Sequence, residues 1–80
     1  MSDPVARLAA QAVNERSREA LLEAFVAAAR FGESLELPFA AAEELGLSEA
    51  ALVDEAVHHL SPDEEEVLRE FAERRERIEP

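Results

Sequence analysis

Residues 61–77 read SPDEEEVLREFAERRER, and this stretch carries the local signals of one α-helix. Ser61, Pro62 and Glu64 form a capping box, in which a hydroxyl and a carboxylate accept from backbone N–H groups that begin a helix. Acids fill the first turn and arginines the last, which is the order that the helix dipole favours. Apolar residues recur on one side at Val67, Leu68, Phe71, Ala72 and Ile78. We therefore predict a helix from Pro62 to about Ile78.

Four more helical segments are predicted before this one. Their expected starts are Asp3-Pro4, Ser17, Pro38 (helix Phe39–Leu45) and Ser48 (helix Glu49–Leu60). Gly32 and Gly46 suit the left-handed residue that commonly follows a helix. Between them, Glu33–Leu37 alternates acids and leucines, which predicts an extended connector with Leu35 and Leu37 turned inward.

The segment Asn14–Ser17 leaves two interpretations open. It interrupts an apolar stripe that begins at Val5, and the next stripe, from Leu21, is rotated by more than a right angle if the helix is continuous. Either the chain turns near Ser17, or one long helix presents different faces to different neighbours. We favour the turn, because Ser17 can cap a new helix.

The sequence thus predicts an all-α fold, a compact bundle of four to five short helices. Residues 1–80 form a single domain, because a chain of this length has room for one core. Leucine, phenylalanine and alanine supply most of its 48% apolar residues.

The net charge of −11 is concentrated in the middle of the chain. Between Phe31 and Leu68 there are eleven acids and neither Lys nor Arg, whereas acids and arginines balance in both flanks. Such a charge disfavours binding to nucleic-acid phosphate or to anionic membranes. Three interpretations remain: a solvated surface, a docking face for a basic protein or peptide, and mimicry of nucleic-acid charge. The residues of the possible acidic docking face are Glu43, Glu44, Glu49, Asp54 and Glu55.

Catalysis and cofactor binding are not expected. The chain has no Cys and no Lys, its five Ser lie mostly at expected helix starts, and two Gly are too few for a phosphate-binding loop. No apolar run reaches the length of a membrane span, and the N-terminus lacks the pattern of a signal peptide. We expect a cytoplasmic protein that is a monomer or a homodimer.

His58 and His59 are the only histidines and are weak ligand candidates. As neighbours on a helix they point about 100° apart, so they cannot chelate one ion together. Asp54 and Glu55 each lie four residues before one of them, which could form a weak two-ligand site where zinc usually takes three or four. A surface pair near a helix end is the simpler interpretation. A designed metal or haem site is the alternative.

Residues 40–52, AAAEELGLSEAAL, resemble the helix-turn-helix of bacterial transcription regulators. The resemblance lies in a small residue (Ala42) four positions before a turn glycine (Gly46), and in an aliphatic residue (Leu52) six positions after it. It implies a helix-turn-helix-like corner within residues 39–60. In that family the second helix reads bases in the major groove. Here the exposed positions of that helix are acidic or Ala, so we expect the local fold without DNA binding.

The chain as a whole resembles computationally designed helical proteins, because caps, charges and apolar stripes agree in each segment. This resemblance implies a non-catalytic acidic helical scaffold or interaction module without a native substrate. The alternative is a natural acidic interaction domain, derived from a helix-turn-helix protein, that binds a basic partner.

Overall fold

Among the residues that it describes, the computed structural model contains five α-helices. It describes residues 4–32 and 34–78, with the side chains of all of these except residues 75–78. The helices are α1 (Pro4–Glu15), α2 (Arg18–Phe31), α3 (Glu36–Leu45), α4 (Glu49–Val57) and α5 (Pro62–Ile78). The described residues contain no strand, so the predicted all-α class and the predicted number of helices are confirmed.

Helix α2 is the centre of the bundle, because it contacts each of the other four helices. Its buried side is mostly alanine, which lets neighbouring helices approach closely. The buried residues of α2 are Ala20, Leu21, Ala24, Phe25, Ala27, Ala28 and Ala29. All of these except Ala24 join one core cluster with buried residues from α1, α3, α4 and α5. The Cα radius of gyration, 11.4 Å, is close to the roughly 11.6 Å expected for a folded domain of this length.

Two phenylalanines lie in the core between α2 and α3. Phe25 is fully buried, and its ring meets that of Phe39 edge to face, with 5.5 Å between the ring centroids. Such aromatic pairs contribute about 0.5–1.5 kcal/mol beyond their buried area. Phe25 is therefore the largest single anchor of the core.

The chain turns between α1 and α2, as the interruption at Asn14–Ser17 predicts. Arg16 adopts a left-handed conformation with φ of 51°, and the Ser17 N–H donates to the Ala12 carbonyl across the end of α1. The Ser17 hydroxyl then accepts from the Ala20 N–H and caps α2. A continuous helix is thereby excluded. A left-handed residue with a side chain is costly for an L-amino acid, and this position usually carries glycine.

Helix α3 begins at Glu36, two residues before the predicted start at Pro38. The prediction of an extended connector up to Leu37 was therefore wrong. The Ser34 hydroxyl accepts from the Glu36 N–H at 3.1 Å, which satisfies one of the free donors of the first turn. Pro38 is tolerated there because the N–H groups of the first turn have no partner within the helix. Leu35 is buried as predicted, but Leu37 is 49% exposed.

Helix α4 ends at Val57, three residues before the predicted end at Leu60. Residues 58–60 continue as a tighter turn, in which each N–H donates to the carbonyl three residues earlier. Pro62 keeps Ser61, the residue before it, out of the helical region, and the change to these three-residue hydrogen bonds ends α4 ahead of it. Helix α5 begins as predicted: the Ser61 N–H donates to Glu64, and the Glu64 N–H donates to the Ser61 hydroxyl.

The corner between α3 and α4 contains the turn residues that the sequence indicates. Gly46 is left-handed, with φ of 70°, and the Leu47 N–H donates to the Ala42 carbonyl. The Ser48 hydroxyl caps α4 by accepting from the Ala51 N–H. Ala42 and Leu52 are both buried. The similarity of this corner to a DNA-binding helix-turn-helix stays a prediction.

Two further expectations concern residues at the chain ends. The predicted cap Asp3 lies outside the described residues, as does the side chain of Ile78. Within the described part of the chain, no helix is both long enough and apolar enough to cross a bilayer.

Candidate functional site

The five residues of the possible acidic docking face lie at the α3–α4 corner and along α4. Glu43 and Glu44 are exposed near the end of α3, and Glu49 is half-buried in the first turn of α4. Asp54 and Glu55 lie further along α4 and have arginine neighbours. The sequence-predicted set is therefore divided into a corner group and a pair of acids whose charge is partly neutralised.

Arginines from the flanks reach across helices to the acids of the central stretch. Arg18 of α2 forms an ion pair with Glu55 of α4. Arg30 of α2 forms a second one with Glu64 of α5, with 3.6 Å between the Arg30 Nε and the Glu64 Oε2. Both contacts join the central helix to a neighbour. Part of the surplus negative charge in the middle of the chain is therefore balanced by residues that the sequence places in a neutral flank.

The hydrogen bond from Arg18 lowers the pKa of the Glu55 carboxyl below its ordinary value of 4.5 and raises the pKa of the Arg18 guanidinium. A carboxyl with a lowered pKa in the folded state stabilises the fold above its unfolded pKa. That contribution is lost as the pH falls through the folded pKa. The link between α2 and α4 is thus intact at neutral pH and weakens in acid below pH 4.5. Because both groups are exposed to solvent, the ion pair contributes little to stability.

A third arginine belongs to α5 itself. The Arg69 guanidinium lies 3.0 Å from the Glu65 carboxylate one turn earlier and 4.0 Å from the Asp54 carboxylate of α4. Asp54 remains 73% exposed at its side chain. The α4–α5 side of the acidic stretch is therefore a mixed-charge surface, and it is less suited to bind a basic partner than the sequence suggests.

His58 and His59 are exposed in the turn that follows α4. The Arg30 guanidinium donates to the His59 carbonyl at 3.3 Å, so the backbone of this turn is linked to the end of α2. Among the described residues, no group of three or more His, Asp or Glu is placed to hold a metal ion. Asp54 and Glu55, which precede His58 and His59 by one turn, are also the acids that have arginine neighbours. A metal or haem site at these histidines stays a prediction.

Four serine hydroxyls serve as acceptors for backbone N–H groups at helix starts. They belong to Ser17, Ser34, Ser48 and Ser61. A hydroxyl in this role is held against the first turn of a helix and is not directed towards a base that could activate it.

A groove between α1 and the outward side of α2 lies apart from the acidic face. Its volume is about 860 Å³, which is in the upper part of the range for ligand sites, but it is open to solvent along its length. Helix α1 contributes Leu8, Gln11 and Glu15, and α2 contributes residues from Glu19 to Phe31. His59 also lines it.

The floor of this groove is apolar and its rim is charged. Leu8, Leu22 and Val26 are only partly buried against the core and present their remaining surface to the groove. Phe31 at the end of α2 is 63% exposed, the highest value for a large apolar side chain among the described residues. The exposed ring of Phe31 extends the apolar surface that Leu8, Leu22 and Val26 begin.

Three glutamates occupy the groove: Glu15, Glu19 and Glu23. Within the described residues, no ion pair joins any of the three to a basic side chain. Arg18 and Arg30, which lie on the same helix, are engaged by Glu55 and Glu64. The groove therefore has a net negative rim, although the sequence places it in a flank where acids and arginines cancel.

Sequence reasoning missed this groove because it placed the apolar residues from Leu21 onward in a single stripe and counted charges by segment. A partial signal was available. The glutamates at 19 and 23 are one turn apart on α2, and Phe31 directly precedes the glycine that ends the helix. What the sequence could not give is the direction in which the two arginines of α2 extend.

Comparison with family models, with curated proteins and with solved structures finds no match to this chain.

Proposed function

We propose that the chain is a non-catalytic interaction module that binds a basic protein or peptide segment in the groove between α1 and α2. The observation that carries this proposal is the exposure of Phe31 at the end of an apolar floor, in a protein whose other phenylalanine rings are buried or half-buried. Interface centres are typically aromatic and apolar, with a charged rim. The three groove glutamates give that rim a negative sign.

The proposal moves the expected binding surface away from the α3–α4 corner. That corner supplies exposed carboxylates at Glu43 and Glu44, and an interface needs apolar area as well as charge. Along α4, Asp54 and Glu55 have arginine neighbours. The net negative charge of the sequence also favours a basic protein or peptide as the partner. The proposal differs in placing that partner in the groove on α2.

A second candidate is a designed scaffold with no native partner. The agreement of sequence signals with caps at Ser17, Ser48 and Ser61 supports it. The left-handed Arg16 weighs against it, since design rules avoid positive φ at residues other than glycine. The exposed Phe31 is also atypical of a surface without a binding role.

The test is a selection from a displayed peptide library of unbiased charge, followed by affinity measurements on two serine variants. We expect selected peptides to bind Phe31→Ser about ten- to a hundredfold more weakly, because the lost burial of a phenyl ring accounts for that range. Leu37→Ser is the matched control, since Leu37 is the other exposed large apolar residue and lies outside the groove. It should change affinity by less than about twofold.

Two results would contradict the proposed function. If the library yields no binder, or if the selected peptides bind both variants as tightly as the original chain, the groove is not a binding surface. The scaffold interpretation then takes its place.

A further inference from the structure

We infer that the segment bound in the groove is an amphipathic helix whose basic residues pair with Glu15, Glu19 and Glu23, an inference that rests on the proposed function. It adds the conformation of the partner and the contacts that select it.

The walls of the groove favour a helical partner. Both are α-helices, and the described part of the chain has no strand, so an extended peptide has no sheet edge to which it could add. A groove between two helices is complementary to the side-chain ridges of a third. Helix α2 has 14 residues. A partner helix of about the same length would span roughly 21 Å and cover the groove.

The apolar contacts are spaced for such a helix. Leu22 and Val26 are separated by one turn of α2, and Phe31 follows at the end of the same helix. Together with Leu8 of α1 they form a floor that a stripe of leucine-like side chains would cover. An amphipathic helix offers that stripe at the same one-turn spacing.

The positions of the charged groups in the groove indicate the charge of the partner and the part of the groove that its basic residues contact. Glu19 and Glu23 are one turn apart on α2, and Glu15 lies at the adjoining end of α1, so the three carboxylates belong to one half of the groove. Arg30 lies in the other half and is held by Glu64. The basic residues of the partner should therefore lie over the N-terminal half of α2. The apolar stripe of the partner should reach Phe31 at the other end of the groove.

The experiment uses two synthetic peptides of about 14 residues, one Leu/Lys and one Leu/Glu amphipathic helix, titrated against the chain and two charge variants. The test variant is E15Q/E19Q/E23Q. The control is E36Q/E44Q/E66Q, which removes the same charge from exposed positions outside the groove. Circular dichroism confirms that each variant remains helical.

We expect the Leu/Lys peptide to bind the test variant about tenfold more weakly, because three exposed ion pairs are lost. The control variant should weaken binding by less than about twofold, and the Leu/Glu peptide should bind more weakly than the Leu/Lys peptide. Since neutral glutamine keeps the shape of the side chain, the difference reports charge pairing at the rim.

Several outcomes would overturn the inference. Equal weakening by both variants would assign the attraction to net charge alone. Absence of Leu/Lys binding, or equal affinity for the Leu/Glu peptide, would exclude a basic helix. If the chain associates with itself and Phe31→Ser abolishes this self-association, the groove binds a second copy of the chain instead. If the test variant has no effect while Phe31→Ser still weakens binding, this inference fails and the proposed function remains. If neither change matters, both fail.

Discussion

Phe25→Ala is expected to remove about 3–5 kcal/mol from the free energy of unfolding. Phe25 is fully buried in the central helix and belongs to the core cluster, so truncation leaves a cavity in the core. It also removes the edge-to-face contact with Phe39. A chain of 80 residues has a total stability of roughly 4–12 kcal/mol. The variant should therefore be marginally folded at room temperature.

Urea unfolding followed by far-ultraviolet circular dichroism measures this loss. Phe31→Ala is the matched control, because the same ring is removed from a side chain that is 63% exposed. It should shift the free energy of unfolding by no more than about 0.5 kcal/mol. Similar losses for the two variants would mean that Phe25 is not in the core, and the arrangement of α2 and α3 described above would be wrong.

Ala12→Leu is expected to destabilise the fold by about 1–3 kcal/mol, because the extra side-chain atoms have no space between packed helices. Ala12 lies on α1 and is fully buried in the core cluster with Ala20 and Leu21 of α2. Helix α1 makes its most extensive contact with α2. Burial of alanine is thus the means by which the two helices approach closely.

Thermal and chemical unfolding of Ala12→Leu and of Ala10→Leu would separate packing from helix propensity. Ala10 is exposed on the same helix, and leucine and alanine have similar helix propensities. The control should therefore change stability by less than about 0.5 kcal/mol. A stable Ala12→Leu variant would show that α1 is not packed closely against the bundle.

The helices could be predicted from sequence where a local signal decides the backbone. The turn before Ser17 and the capping box at Ser61 have this property, since the side chain that caps the helix is adjacent to the backbone that it satisfies. Predictions were wrong where two local signals compete. At α3 the alternation of Leu35 and Leu37 suggested a strand-like connector, whereas a helix begins at Glu36, whose N–H donates to the Ser34 hydroxyl.

The groove could not be predicted because it depends on contacts between residues distant in sequence. Arg18 and Arg30 lie on the same helix as Glu19 and Glu23, and a count of charges along the chain cancels them against the groove acids. In the folded chain they reach Glu55 and Glu64 instead, which are 37 and 34 residues away. Only the tertiary arrangement therefore gives the groove its negative rim.

The most direct measurement is a nuclear magnetic resonance titration of the ¹⁵N-labelled chain with the Leu/Lys helix, in which backbone amide shifts locate the contact. We predict the largest changes at the groove, in particular at Glu19, Glu23 and Phe31, with small changes at Glu43 and Glu44. Largest changes at the α3–α4 corner, or changes spread evenly over the acidic surface, would contradict a binding groove on α2.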